Sequence, residues 1–337
     1  MTPVVSGLFA LALVTTAGTV VLTQGSAGAG NAPSNRPLLT KAQFERWKVE
    51  LSNWGRWGKE DELGALNLVT PAKRKRAAAL VKDGVPVSMA SPVDTEKADD
   101  NTTPYEHTMI QLSPINAGDR LSVAYHGYRH THLDAFAHRF FDGKMWNGFS
   151  REEVTSEGGA KKNSIYAVRN GIFTRGILVD VPLLKGVPYL EPGTRIYIDD
   201  LEAWEKRAGV KVSAGDALFI RTGRWTRRAK VGPWNAAREA AGLDAFVIPW
   251  LRQRGVAVLG SETAQDAVPA PGGAEVTVLP LHDFALIMLG VHLMDNVDLD
   301  AVAKAAAERK RWEFLLTAAP LPVKNGVGSV LNPIAVF

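Results

Sequence analysis

Histidine is concentrated in one short segment of this chain. Four of its seven histidines lie between residues 126 and 138, in the run YHGYRHTHLDAFAH that begins at Tyr125. Imidazole and carboxylate are the side chains that most often hold zinc- or manganese-like ions in proteins. The segment therefore indicates a metal site.

The spacing of these side chains suits a β-strand. Alternate residues of a strand share one face, so His130, His132 and Asp134 should project together, with Tyr128 and His126 further along the same side. The alternative is a surface stretch of solvated histidines. It is disfavoured, because apolar residues flank these ligand-type side chains and a surface built that way is costly.

One strand supplies too few ligands for a complete metal site. His138 follows the strand and could turn back toward it. The other candidates lie in one C-terminal segment, which contains His282, His292 and Asp295. A lone histidine in an apolar segment is more often a core residue, and we favour that interpretation for His292.

Composition limits the chemistry that is available. The chain has 337 residues, 46% of them hydrophobic and 22% charged, which is ordinary for a folded protein with a substantial core. It contains no cysteine, which excludes thiolate catalysis, disulfides and cysteine-based zinc sites. The net charge is only +4, and the basic run at residues 73–76 is too short for a nucleic-acid stripe, so we expect no nucleic-acid partner.

The N-terminus differs from the rest of the chain. Residues 4–22 are apolar or small, and the segment ends in an Ala-x-Ala pattern at Ala27 and Ala29. This predicts a signal peptide over residues 1–29, cleaved near Ala29, and hence a secreted or extracytoplasmic protein. An uncleaved membrane anchor and an over-long start are the alternatives, and only the anchor would make a membrane a partner. Residues 30–37 are expected to form a linker and 38–337 a single domain.

The patterns after residue 38 predict a mixture of helices and strands that do not alternate strictly. Helices are expected over residues 41–51, 70–81, 246–254, 281–289 and 298–309, with a short one opening at 199. Strands are expected over 85–90, 121–125, 176–181, 194–198, 217–222 and 256–260, with another short one before Asp295. The predicted class is mixed α/β, or α+β, with a β core.

The histidine segment also resembles a known family. Residues 131–138, Thr-His-Leu-Asp-Ala-Phe-Ala-His, are similar to the Thr-His-x-Asp-Ala-x-x-His motif of the cyclase family, which includes bacterial kynurenine formamidase and isatin hydrolase. Other blocks resemble the family in the same order along the chain: 57–58 with 61–67, 142–148, 215–223, 260–263, and His282 with 290–296.

The resemblance implies the swivelling β/β/α fold of the family, a β-rich core flanked by helices. It implies a hydrolase that uses one or two divalent ions, zinc or manganese, to open a C–N bond in a formamide or cyclic amide. Relatives commonly dimerise, so a homodimer is expected. A non-catalytic metal- or ligand-binding protein, or a metal-dependent lyase or dehydratase, would be an alternative use of the same fold.

The resemblance also assigns roles to residues. His132, Asp134, His282 and Asp295 correspond to metal ligands, and His138 to a ligand of a second ion or to the general acid and base. Among the aromatic side chains, Tyr128, Trp57 and Trp146 are candidates to contact a small aryl substrate, with ordinary core packing as the competing interpretation for each tryptophan.

Two positions depart from the family pattern. Tyr128 stands where the family has a histidine, and His130 stands where it has a glycine. Because both would face the same side of an extended strand, we expect His130 to supply the missing ligand nitrogen. Asp295 replaces the usual glutamate and is one methylene shorter. These departures leave both one ion and two ions open.

Overall fold

The structure is a computed structural model that describes residues 1–2, 36–270 and 276–337. The predicted signal peptide and most of the predicted linker lie outside these residues. Pro37–Phe337 forms one compact unit. No helix within the described ranges is both long and apolar enough to cross a membrane.

A mixed sheet forms the centre of the unit. Among the described residues, nine strands join in the order β1-β15-β13-β7-β9-β11-β12-β4-β14. Neighbours from β7 to β12 in this order are parallel, and the flanking pairs are antiparallel. The strands are β1 Pro86–Ser88, β2 Glu106–Leu112, β3 Ala117–Ser122, β4 His132–Asp134, β5 Val154–Thr155, β6 Gly159–Ala160, β7 Ile172–Asp180, β8 Arg195–Ile196, β9 Ala217–Arg221, β10 Gly242–Leu243, β11 Val258–Ser261, β12 His292–Asp295, β13 Glu313–Ala318, β14 Gly328–Val330 and β15 Ile334–Val336.

Helices and short turns surround the sheet. The remaining strands form small two-stranded sheets, which pair β8 with β10, β2 with β3, and β5 with β6. The helices are α1 Lys41–Glu50, α2 Pro71–Ala78, α3 Val181–Lys185, α4 Ile198–Ala208, α5 Arg224–Val231, α6 Ile248–Arg254, α7 Pro280–Phe284 and α8 Asp300–Arg309, and a π-helical turn, Ala285–Leu289, continues α7.

The central parallel strands are apolar on both faces because each face carries its own core. In β9, Leu218 and Ile220 point into one hydrophobic cluster, while Ala217 and Phe219 point into the other. Buried parallel strands typically have such continuous apolar sequences. Helices α4 and α6 cover the first face and α8 covers the second. The mixed α/β class predicted from the sequence is confirmed.

Local sequence explains where the elements begin and end. Helix α2 begins with Thr70, whose hydroxyl accepts from the Lys73 amide, followed by proline at the first position. It ends at Ala78, three residues before the predicted end. The predicted strand through the histidine segment is wrong for most of its length. Residues 127–130 bend, and the strand is confined to His132–Asp134.

Candidate metal centre

The candidate metal centre forms where β4 lies beside β12. These strands are antiparallel, and their register places His132 directly opposite Asp295. Residues directly opposite share a face of the sheet, and Asp134, two residues along β4, points the same way. Ligand-type side chains from the middle and the end of the chain are thereby brought side by side.

The carboxylate of Asp134 is the centre of the cluster. Its Oδ1 lies 3.1 Å from Nδ1 of His126 and 3.5 Å from Nε2 of His132. Its Oδ2 lies 3.1 Å from Nε2 of His282 and 4.0 Å from Nε2 of His138. The residue is completely buried. One carboxylate thus faces four imidazoles.

Asp295 contributes a second carboxylate to the cluster. Its Oδ2 lies 3.5 Å from Nε2 of His282 and 4.0 Å from Nε2 of His132. Its other oxygen, Oδ1, accepts a hydrogen bond of 2.8 Å from the amide of Gln265, which is itself buried. Gln265 therefore holds Asp295 with one oxygen turned toward the imidazoles.

Two sets of side chains could each hold a cation. One set is His126, Asp134 and His138, and the other is His132, Asp134 and Asp295; within each set the potential ligand atoms lie within 4.8 Å of one another. Asp134 belongs to both sets. The geometry is therefore compatible with one ion or with two, and Asp134 would be a ligand in either case.

The unpartnered atoms of the cluster fit a metal ion. Both Asp134 oxygens and both His126 nitrogens are buried and have no hydrogen-bond partner among the described residues. A buried carboxylate is costly unless it is paired or coordinates a metal. Tetrahedral zinc with bonds of about 2.0–2.2 Å separates its ligand atoms by roughly 3.3–3.6 Å. The distances from His282 to both carboxylates, and from His132 to Asp134, lie close to that range.

Backbone contacts orient the imidazole of His132. Its Nδ1 donates to the carbonyl of His130 at 2.7 Å, which leaves Nε2 as the free ligand atom. The carbonyls of Gly127 and His130 also accept from the Asn296 amide, at 2.7 and 3.2 Å. Asn296 directly follows Asp295, so one short segment supplies a candidate ligand and fixes the loop that presents another.

His282 is held at the start of α7. The carboxylate of Asp266 accepts from the backbone amides of Leu281 and His282, at 2.9 and 2.8 Å. Asp283 places Oδ1 3.5 Å from Nδ1 of His282 and is bound in turn by Arg139. These contacts direct Nε2 of His282 toward the two carboxylates of the cluster.

The cluster shifts the protonation of its members. Burial alone would raise the pKa of Asp134, but the neighbouring imidazoles hold it well below its usual range. Burial would lower the pKa of His282, yet three adjacent carboxylates raise it well above the ordinary value. Burial lowers the pKa of His138 to about 4. A proton on His282 thus faces the ionised Asp134, and a cation bound there would displace it.

Five of the predicted site residues are brought together by the fold: His132, Asp134, His138, His282 and Asp295. His292, which we expected to be a core residue, is buried beside the cluster. Its ring stacks on Phe136 at 4.0 Å, and its Nδ1 lies 3.2 Å from the carbonyl of Asp134.

The expectation that His130 replaces the missing ligand is wrong. The bends at residues 127–130 break the two-residue period, and the contacts of the His130 ring are with residues outside the cluster. Its Nε2 contacts the carbonyl of Thr103 at 3.1 Å, and the ring packs edge-on against Tyr105 at 4.7 Å. His130 contributes to the site through its main-chain carbonyl, which accepts the hydrogen bond from Nδ1 of His132.

The predicted aromatic contacts fall in different places. Trp146 is fully buried, donates to the carbonyl of Asp61 and packs against Phe136, as the competing interpretation of core packing expects. Trp57 is half-buried against Trp146 at 6.1 Å. Tyr128 is half-buried near the cluster, and burial and the charge of Asp295 raise its pKa, which keeps it a phenol.

Sequence reasoning missed His126 and Gln265. His126 was placed on the strand face but was not proposed as a ligand. In the structure its ring stacks on His138 with centroids 4.0 Å apart, next to Asp134. The available signal was its membership of the histidine cluster. The two-residue spacing of a strand could not assign it, because residues 127–130 bend. Gln265 carried no signal, since its contact with Asp295 spans 30 residues.

The block at residues 61–67 holds the segment of the chain that leads into β12, which carries Asp295. Asp61 accepts from the amide of Gly64 and from the side chain of Asn67. The neighbouring Ala65 donates to the carbonyl of Gly290 at 2.6 Å. A Cβ on Gly64 would lie 2.3 Å from that carbonyl oxygen, so the close approach requires glycine. The block fixes the chain just before β12.

Comparisons with known proteins agree on the fold. The family model described as "Cyclase" matches residues 76–266. The crystal structure of a novel cyclase has 32% sequence identity and a TM-score of 0.77, and the match covers 86% of this chain and 100% of that one. Isatin hydrolase A from Ralstonia solanacearum has 19% identity and a TM-score of 0.53, covering 74% and 91%. An isatin hydrolase bound to the product analogue thioisatinate has 18% identity and a TM-score of 0.52, covering 78% and 95%. Among curated protein sequences, none matches significantly.

Proposed function

Because this chain belongs to the cyclase family, as its sequence motifs predicted, we propose that it is a metal-dependent hydrolase of a C–N bond in an aryl formamide or cyclic amide. The observation that carries the proposal is the buried Asp134 carboxylate, whose oxygens lie between 3.1 and 4.0 Å from nitrogen atoms of four imidazoles. Such a carboxylate is suited to a cation. Isatin hydrolases have the same fold.

We propose one ion, zinc or manganese, held by His132, Asp134, His282 and Asp295. Nitrogen and oxygen donors of this kind suit both metals. When bound, such an ion would lower the pKa of a water molecule and polarise the substrate carbonyl. A second ion at the set of His126, Asp134 and His138 is the alternative, and the metal content of the purified protein distinguishes the two.

His138 is suited to move protons in this reaction. Its side chain is 24% exposed, whereas that of His132 is only 2% exposed, so His138 lies nearer the solvent side of the cluster. Its Nε2 can take a proton from the attacking water and return it to the leaving nitrogen, which is the usual work of a catalytic imidazole. The stacked ring of His126 keeps the His138 imidazole in place.

Flat rings around the solvent side of the cluster support an aryl substrate. Tyr125 packs beside His126 at 4.6 Å, and the His126 side chain is 27% exposed. Burial and the charge of Asp134 raise the pKa of Tyr125 to about 12, so it stays a phenol that can donate a hydrogen bond. Together with Tyr128, these rings offer planar faces to a planar amide.

The test combines metal analysis with substrate screening. The purified protein should contain one equivalent of metal and hydrolyse an N-formyl aromatic amine or an isatin-like lactam. The summed mass of the products should exceed the mass of the substrate by one water. A chelator should abolish hydrolysis and zinc or manganese should restore it. His138→Ala should lower the rate by about 10²- to 10⁴-fold with its metal retained. The control variant His107→Ala, which changes a histidine on the exposed strand β2, should alter neither the rate of hydrolysis nor the metal content. A protein that takes up no metal would refute the proposal.

The N-terminal segment supports export of the enzyme. We propose that the mature chain begins after Ala29, where the apolar run ends in its Ala-x-Ala pattern. Mass spectrometry of the exported protein from its native host tests this. An intact N-terminus on an exported, membrane-bound protein would indicate the anchor instead.

A further inference from the structure

A mostly apolar groove lies beside the bent loop at residues 127–130. It has a volume of about 590 Å³, and pockets for small molecules usually have about 300–1,000 Å³. Its apolar wall is made mainly of Pro92, Val93, Tyr105, Leu321, Val330 and Leu331. Among the described residues that line it, none is a ligand in the proposed metal centre. The groove is therefore a separate feature of the molecule.

No charged side chain lines the groove in the part of the chain that the structure describes. Its polar side chains are those of Ser88, Ser91, Tyr105, His130, Thr131 and Asn332. A charge that enters an apolar site without a partner of opposite sign is costly. The groove therefore favours an uncharged molecule with a large apolar part.

Two polar atoms of the wall lack a hydrogen-bond partner. Tyr105 and His130 are both buried, with 9% and 4% of their surface exposed. Nε2 of His130 lies 3.1 Å from the carbonyl of Thr103, but Nδ1 has no hydrogen-bond partner among the described residues, and neither has the Tyr105 hydroxyl. Both atoms remain accessible to solvent. Because a buried tyrosine hydroxyl usually has a partner, these atoms indicate a place for a ligand.

The two atoms need opposite hydrogen-bonding roles from that ligand. Because a carbonyl only accepts, Nε2 of His130 carries the ring hydrogen, and Nδ1 of the neutral imidazole is an acceptor. The Tyr105 hydroxyl can donate. The two rings are in edge-on contact, with centroids 4.7 Å apart, so one ligand can reach both atoms. A hydroxyl group donates and accepts at once, and it meets both needs.

We propose that this groove binds an uncharged phenol or other apolar alcohol. The ligand hydroxyl donates to Nδ1 of His130 and accepts from the hydroxyl of Tyr105. The apolar body of the ligand contacts Val93 and Leu321, which are 58% and 56% exposed without it. This inference does not depend on the proposed hydrolase activity.

Three matched probes test the chemistry of the groove. 4-Propylphenol should bind the full chain at pH 8 in a ligand-observed NMR titration. 4-Propylanisole cannot donate a hydrogen bond and should bind about 2- to 10-fold more weakly. 4-Propylbenzoate carries a charge and should not bind at the same concentrations. Removal of metal with a chelator should leave all three results unchanged, which separates this groove from the metal centre.

Variants place the binding in the groove. Tyr105→Phe removes only a hydroxyl and should weaken 4-propylphenol about 2- to 10-fold, whereas Tyr166→Phe, a half-buried tyrosine elsewhere, should bind like the wild type. Ala319→Trp should fill the groove and abolish binding. The control Ala42→Trp, on the exposed side of α1, should not. All four variants should keep the wild-type melting temperature.

Several results would overturn the proposal. One is the absence of 4-propylphenol binding, which would leave water as the partner of both atoms. Others are equal affinity for the phenol and the anisole, or an Ala319→Trp protein that still binds. Binding that weakens as the protein concentration rises from 5 to 100 µM would instead assign the groove to a second copy of the chain.

Discussion

Replacing Gln265 by Met should weaken metal binding by about 10- to 100-fold. The Gln265 amide donates to Oδ1 of Asp295 at 2.8 Å in a fully buried environment. A hydrogen bond to a charged group contributes about 1.5–3 kcal/mol, and each 1.4 kcal/mol corresponds to a factor of ten in affinity. Loss of a hydrogen bond that orients a metal ligand typically lowers metal affinity by a similar factor, about 10- to 100-fold. Met keeps the length of the side chain and its Cβ, so the left-handed backbone at φ 59° is equally strained in both proteins.

The assay is a calorimetric titration of the chelator-treated protein with Zn²⁺. Gln253→Met, an exposed glutamine on α6, is the matched control and should bind zinc like the wild type. Thermal unfolding without metal separates a general loss of stability from a loss of affinity. If Gln265→Met binds zinc as tightly as the control, then Asp295 either is not a ligand or does not need Gln265 to orient it.

Three further changes test the site and its support. His130→Ala should leave metal content unchanged, because its ring faces Tyr105, whereas His132→Ala should lose the metal; elemental analysis of both proteins decides. Gly64→Ala should lower the free energy of unfolding by well over the ~1–2 kcal/mol that a left-handed alanine costs, because the new Cβ would lie 2.3 Å from the Gly290 carbonyl oxygen. The control Gly84→Ala, at φ 68° with no atom near its Cβ, should show only that backbone cost in denaturant unfolding. Asp216→Asn should cost about 3 kcal/mol in the same assay, since it removes the buried partner of Lys73 and Arg175; equal stability would show that this charge is not needed.

Elements with a strong local signal were predictable from the sequence. The apolar run Ala217–Ile220 leaves little choice but a buried strand, and its two faces do enter two cores. The cap at Thr70 likewise fixes the start of α2. In both cases the information lies within a few residues.

Structure that depends on distant pairing was not predictable. Strands β13, β14 and β15 were missed, although β14 pairs with β4, which carries His132 and Asp134. Strands β2 and β3 were also missed, since only the end of β3 overlaps a predicted strand. They carry mixed polar and apolar residues, and a β-bulge between Met109 and Gln111 interrupts their alternation. Regular spacing is informative only while the backbone stays regular.

In the histidine segment, a bent loop brings the imidazole of His126 to the cluster. Tyr128 occupies the family's histidine position, but His126 reaches Asp134 instead, because the bends at 127–130 shorten the path to β4. Such a bent loop needs partners for its carbonyls. Asn296 binds those of Gly127 and His130, and the buried Arg224 binds that of Tyr128 and also the Asn296 side chain.

The same buried contacts connect the two departures from the family pattern. Asn296 adjoins Asp295, so the segment that carries the shortened acidic side chain also fixes the loop that carries the displaced histidine. A change at either position would disturb the other through the shared loop. In denaturant unfolding, the double substitution of Asn296 and His126 should cost less than the sum of the single substitutions, because loss of Asn296 alone already releases the loop that holds His126 beside Asp134.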